Sequence, residues 1–98
     1  MHHPIHRVRS VEVVGLYALR VDFEDGTAQT IDLSSVLEGE LFGPLRDPHL
    51  FKQVRVDSEV GTIIWPNGAD FDPATLHDWP IHAKAMTEMA QKWKRGAA

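Results

Sequence analysis

Cysteine is absent from this 98-residue chain, and three chemistries leave with it: a disulfide framework, a thiolate zinc site and a cysteine nucleophile. Long apolar runs are missing too. Nothing approaches the roughly 18 residues of a membrane span, and the opening MHHPIHRVRS lacks the apolar middle of a secretory signal. The expectation is a soluble cytoplasmic protein with no membrane partner. The seven glycines are scattered. Neither G-x-x-x-x-G-K-[ST] nor G-x-G-x-x-G occurs, so nucleotide-driven chemistry is not indicated, and no Gly-x-Ser-x-Gly elbow stands in for the missing thiol.

Positive charge is scarce where negative charge gathers. Between Arg55 and Lys84 there is no lysine or arginine, whereas Asp57, Glu59, Asp70, Asp72 and Asp78 fall in that interval. With a net charge of -4, this argues against a nucleic-acid partner, because affinity for a phosphate backbone comes mainly from clustered cations. The basic residues return as Lys84, Lys92, Lys94 and Arg95. Such asymmetry either steers a charged partner or marks a solvated surface.

What is there fits one domain over residues 1–98, with 43% apolar and 24% charged residues, an ordinary globular composition. Tyr17, Leu19, Val21 and Phe23 alternate with Ala18, Arg20 and Asp22, the period of a half-buried strand. Asp25-Gly26 follows and predicts a tight hairpin turn of type I′, with positive φ at both central residues. Its partner strand is then Thr27 to Leu33. A valine-rich segment from about His6 to Val14 pairs back on the other side to give a meander. Residues 34 to 46 read as a short helix and loop with Ser34 or Ser35 as cap. Gln53 to Asp57 and Thr62 to Trp65 form a second hairpin, expected in the same antiparallel sheet. From Pro80 to about Lys94, Ile81, Ala85, Met86, Met89, Ala90 and Trp93 make one apolar stripe at helical spacing. The fold class is therefore α+β: about five strands in hairpins, short helical turns and a C-terminal amphipathic helix at about 80–95.

The stretch IIWPNGADFDP, Ile63 to Pro73, carries two aspartates two residues apart. Asp70 and Asp72 are oxygen ligands suited to a hard divalent cation, but the further acidic positions of a calcium or magnesium site are not supplied around them. The alternative is structural: Asp72 caps a helical turn begun by Pro73, as Asp47 does for Pro48, while Asn67-Gly68 makes a turn. Asp70 is left unexplained. His2, His3 and His6 resemble a metal-binding tract at a terminus. His77, Asp78 and His82 offer an acid-base set without a positioned nucleophile. Trp65, Trp79 and Trp93 are either partner-binding anchors or core. For DNA recognition, residues 80 to 95 provide one long helix where a helix-turn-helix needs two.

Taken in order, Tyr17-x-Leu-x-Val-x-Phe-x-Asp-Gly26, Ile31-Asp32-Leu33, Phe42-x-Pro-Leu45, Phe51, Val54 and Ile64-Trp65-Pro66-Asn67-Gly68-Ala69-Asp70 resemble the bacterial family called domain of unknown function 2442. The likeness runs over roughly residues 5 to 78. It implies a small α+β domain with an antiparallel sheet and no catalytic residues or cofactor to carry over. Some members look like partners in cassettes resembling toxin-antitoxin pairs. Others add a C-terminal helix-turn-helix; the residues after about 78 here read as one helix, so the DNA binding of those members is not carried over.

The functional expectation is a non-enzymatic protein-interaction module or small regulator, possible as an antitoxin-like partner, with no cofactor or metal. Its candidate partner-binding residues are Trp65, Asn67, Asp70 and Trp79. Edge strands invite pairing, so a homodimer is among the expected partners. The alternatives are a small metal-dependent or small-molecule enzyme using Asp70, Asp72 and His77 with Asp78, and a DNA-binding dimer.

Overall fold

The structure is a computed structural model and describes residues 6–96. Three strands, β1 (Val8–Gly15), β2 (Ala18–Phe23) and β3 (Ala28–Asp32), form an antiparallel meander in that order. Alternation decides which face is buried: Leu19, Val21 and Phe23 point inward with Ile31 beside them, while Arg20 faces water. The β2–β3 connection departs from the expected turn. Within it only Gly26 has positive φ (+88°), as no non-glycine residue does among the described residues, and Gly26 N donates to Phe23 O at 3.1 Å while Phe23 N donates to Thr27 O at 2.9 Å. This is a three-residue loop closed by a glycine bulge. Asp25 therefore keeps ordinary φ, and its carboxylate accepts from Thr27 N at 2.9 Å.

The same scheme recurs at Trp65-Pro66-Asn67-Gly68-Ala69. Gly68 (φ +91°) donates to Trp65 O at 2.9 Å, Trp65 N donates to Ala69 O at 2.9 Å, and Asn67 Oδ1 accepts from Ala69 N at 3.1 Å. The turn folds Asp70 back onto Ile64 through an isolated bridge.

β4 (Arg55–Asp57) and β5 (Thr62–Ile64) pair antiparallel as expected, but as a separate two-stranded sheet. The single-sheet expectation is corrected here. One bond, Val8 N to Gly61 O at 2.9 Å, links β1 to this hairpin. A register shift between Val8 and Ser10 follows at once, and a bulge of this kind bends the strand away before a ladder can extend.

Four helical segments complete the fold: α1 (Gly39–Phe42), α2 (Pro48–Phe51), α3 (Pro73–His77) and α4 (Trp79–Gly96), with a 3-10 turn at Gly43–Arg46. Asp47 and Asp72 cap α2 and α3 by accepting from His49 N at 2.9 Å and Ala74 N at 3.3 Å. Each proline at the first helical position lacks only an N–H that the helix would leave unpaired. Ser34 and Ser35 cap nothing. The helix starts later, at Gly39, and Ser35 Oγ instead lies 3.0 Å from Thr87 Oγ1 on α4.

An aromatic relay forms the centre of the core. Phe71 lies 5.0 Å from Phe42, 6.0 Å from Trp65 and 6.2 Å from Trp79, and Phe42 stacks on Trp93 at 6.0 Å. Trp79 and Trp93 thus fasten both ends of α4, with Ala83, Met86 and Ala90 turned inward between them. The expected apolar stripe is half right. Ile81 is 77% exposed and Met89 46%, and Ala85 is exposed beside them. At about 100° per residue, Ile81 lies about 200° around the helix from Trp79, beyond the reach of the domain.

Candidate functional site

Burial removes the aromatic part of the expected partner-binding patch. Trp65 is 1% exposed and its Nε1–H donates to Phe51 O at 3.0 Å; Trp79 is 8% exposed. Asn67 is at the surface, but both ends of its amide serve the fold: Oδ1 accepts from Ala69 N and Nδ2 donates to Leu41 O at 2.9 Å. Asp70 is exposed with neither indole presented beside it. Trp65, Asn67 and Asp70 share a neighbourhood because Trp65 to Asp70 is one turn, whose own geometry accounts for Asn67, while Trp79 stands at the start of α4, 6.2 Å from Phe71.

The metal-enzyme alternative is also redistributed. Asp72 occupies the N-terminal end of α3 as its cap, and His77 stands at the other end. Only His77 and Asp78 of the proposed set meet, with Nδ1 2.9 Å from Asp78 Oδ1. His82 joins them through its backbone, donating to Asp78 O at 3.3 Å. His2 and His3 lie outside the described residues.

Three segments distant in sequence converge on His77. From the β2–β3 turn, Asp25 Oδ2 sits 2.8 Å from His77 Nε2. Thr27 Oγ1 donates to Asp25 Oδ1 at 2.6 Å and lies 3.1 Å from His77 Nε2. From the lead into β1, the His6 ring stacks on His77 with centroids 3.7 Å apart and 15° between planes. Phe23 closes the inner side edge-on at 5.0 Å. Gln29 Nε2 donates to His77 O at 2.9 Å, tying β3 to α3. No spacing in the sequence links positions 25 and 77, and an Asp-Gly turn signals only its backbone geometry, so nothing in the sequence marks Asp25 and Thr27 as site residues.

The electrostatics follow from this geometry. The bond to Asp78 raises the His77 pKa above the ordinary imidazole value against a smaller opposing effect of burial, and Asp25 adds to the rise. Asp25 is held down to about 2, first by the Thr27 hydroxyl, then by the Thr27 N–H and His77. Asp78 is lowered chiefly by His77. Among the described residues, neither carboxylate pairs with a lysine or arginine. One ligand atom each from His6, His77 and Asp78 lies within 4.8 Å of the others, the spacing of a group able to hold a metal ion.

A second surface lies beside α4. Leu41, Phe42, Lys92 and Trp93 line an open groove of about 570 Å³, and Leu41 is 43% exposed. Among the described residues, no helix is long and apolar enough to cross a membrane.

The fold and the turn-centred site define a small α+β domain. Residues 8–82 match the family model described as "Protein of unknown function (DUF2442)", and the chain belongs to that family. No curated protein and no solved structure matches the chain.

Proposed function

We propose that this chain is a non-enzymatic protein-interaction module, a small regulator that pairs first with a second copy of itself through the outward face of α4. One observation carries the reading. Ile81, Ala85 and Met89 stand four residues apart on the solvent side, a ridge that continues to the half-buried Trp93. Ridges of this period pack into the grooves of a like helix. Antiparallel pairing about Ala85 sets Ile81 against Met89 of the second copy, Glu88 against His82 and Lys92 against Asp78. Lys92 and Asp78 are complementary charges, and the small central residue permits close approach.

Size sets the strength. An 18-residue helix is about 27 Å long, so helix contact alone falls short of the about 800 Å² per partner of a standard interface. A weak, concentration-dependent dimer is expected, in keeping with a small regulator that can exchange its own copy for another partner. Sedimentation equilibrium tests it. The mass-average molecular weight should climb toward the dimer as concentration rises to about 1 mM, and Ile81→Glu should hold it at the monomer without moving Tm. A wild type that stays monomeric over that range overturns the reading.

A further inference from the structure

The histidine at the end of α3 is placed between two acceptors. A neutral imidazole has one N–H and one lone pair, yet His77 Nδ1 is 2.9 Å from Asp78 Oδ1 and Nε2 is 2.8 Å from Asp25 Oδ2. One N–H satisfies one carboxylate. The other contact is met either by a second proton on the ring or by a cation between lone pair and oxygen.

We propose that His77, Asp78 and His6 form a three-ligand site for a borderline divalent cation of the zinc type, with Asp25 orienting His77 from behind. Two imidazoles and one carboxylate are donors that suit zinc better than magnesium or calcium, which prefer oxygen throughout. The three ligand atoms lie within 4.8 Å of one another. Zinc bonds of about 2.0–2.2 Å require ligand atoms about 3.3–3.6 Å apart around a tetrahedron, so closure asks for a shift of about an ångström. His6 stacks on His77 with ring centroids 3.7 Å apart and 15° between planes, so its ring would turn out of the stack to aim a lone pair at the ion. Zinc held by three protein ligands ordinarily takes water in the fourth position.

The support behind the ligands is what distinguishes this group from a chance surface cluster. A metal-binding histidine usually donates its other N–H to a carboxylate, which fixes tautomer and ring direction. Asp25 stands in that place, and its second oxygen is held by Thr27 N at 2.9 Å and Thr27 Oγ1 at 2.6 Å. Asp25 is therefore a positioning residue, not a ligand. The His77 side chain is 18% exposed, enough for an ion to enter and little enough for the ring to be fixed. A bound ion would join the lead into β1, the β2–β3 turn and the α3–α4 junction at one point.

Isothermal titration of the metal-free full chain with zinc chloride tests the site. Binding at one zinc per chain is expected, with no response to magnesium. Asp25→Asn and His6→Ala should each weaken affinity 10- to 100-fold, and His77→Gln should abolish it. The double variant His2→Ala, His3→Ala and the α4 variant Ile81→Glu should bind as the wild type does, which separates this site from the terminal histidines and from self-pairing. Absence of zinc binding by the wild type overturns the proposal. So does binding that survives both Asp25→Asn and His6→Ala, or that disappears with His2 and His3. Should His77→Gln fail to fold by circular dichroism, the other two variants decide, since both retain His77.

Discussion

Asp25 and His77 are 52 positions apart and 2.8 Å apart. The contact spans two local structures that the chain builds independently: a glycine-closed turn and a proline-started helix. Each places its side chain correctly for reasons of its own, and the tertiary fold brings them face to face.

Stability in metal-free buffer should therefore depend on pH at both ends. His77 is raised in the folded state by Asp78 and Asp25, so its contribution is fully present below the unfolded imidazole value of about 6.5 and is lost as pH rises through the higher folded value. Asp25 is lowered to about 2, so its contribution is present above the unfolded value of about 3.9 and is lost as pH falls toward 2. The groups facing His77 are Asp25, Asp78 and His6. Melting curves with EDTA should show Tm greatest between about pH 4 and 6.5. His77→Gln should flatten the alkaline limb; an unchanged limb would refute this assignment.

Gly39→Ala should cost more than Gly68→Ala. Both glycines have positive φ, +84° and +91°, and an alanine there costs about 1–2 kcal/mol. At Gly68 an added Cβ meets nothing within 4 Å, whereas at Gly39 it would stand 3.3 Å from Trp93 Cβ. The extra loss at Gly39 should loosen the C-terminal anchor of α4. Urea denaturation of the two variants measures the difference, and equal midpoints would show that the backbone effect is the whole cost.

Trp65→Phe isolates the buried indole hydrogen bond. The substitution keeps an aromatic ring among Phe51 and Phe71 but removes the indole donor at 3.0 Å and leaves the Phe51 carbonyl with the longer bond from Val54 N at 3.3 Å. A loss of about 0.5–1.5 kcal/mol is expected for the one hydrogen bond, against about 3–5 kcal/mol for Trp65→Ala, which empties the site. Chemical denaturation checks the order of the two.

Features that depend on near neighbours were legible in the sequence. Asp47-Pro48 and Asp72-Pro73 cap their helices through residues two positions on, and the alternation from Tyr17 to Phe23 defines a strand whatever surrounds it. Features that depend on the extent of a neighbouring surface were not. The periodicity of α4 is correct, but it could not say how much apolar face the domain covers, and Ile81 and Met89 remained outside. The division of the strands into two sheets rests on a bulge at Val8–Ser10 and one hydrogen bond to Gly61. At the site, His77-Asp78 could be read as a pair because they are adjacent. Asp25, Thr27 and His6 join them only through the tertiary fold.

The repeated turn, Phe23 to Thr27 and Trp65 to Ala69, also suggests an order of assembly. Each closes a loop of three residues around its own side-chain hydrogen bond, so each hairpin can form within about 1–10 μs with no help from the other. Bringing position 25 to position 77 closes a loop roughly seventeen times longer, at an added entropic cost of about 2.5 kcal/mol. The α3–α4 junction should then be among the last parts to dock. In the reverse direction, α4 should exchange its amide hydrogens through partial opening while the β1–β2–β3 meander stays closed, which makes the helix that carries the exposed ridge the part of the domain most easily released.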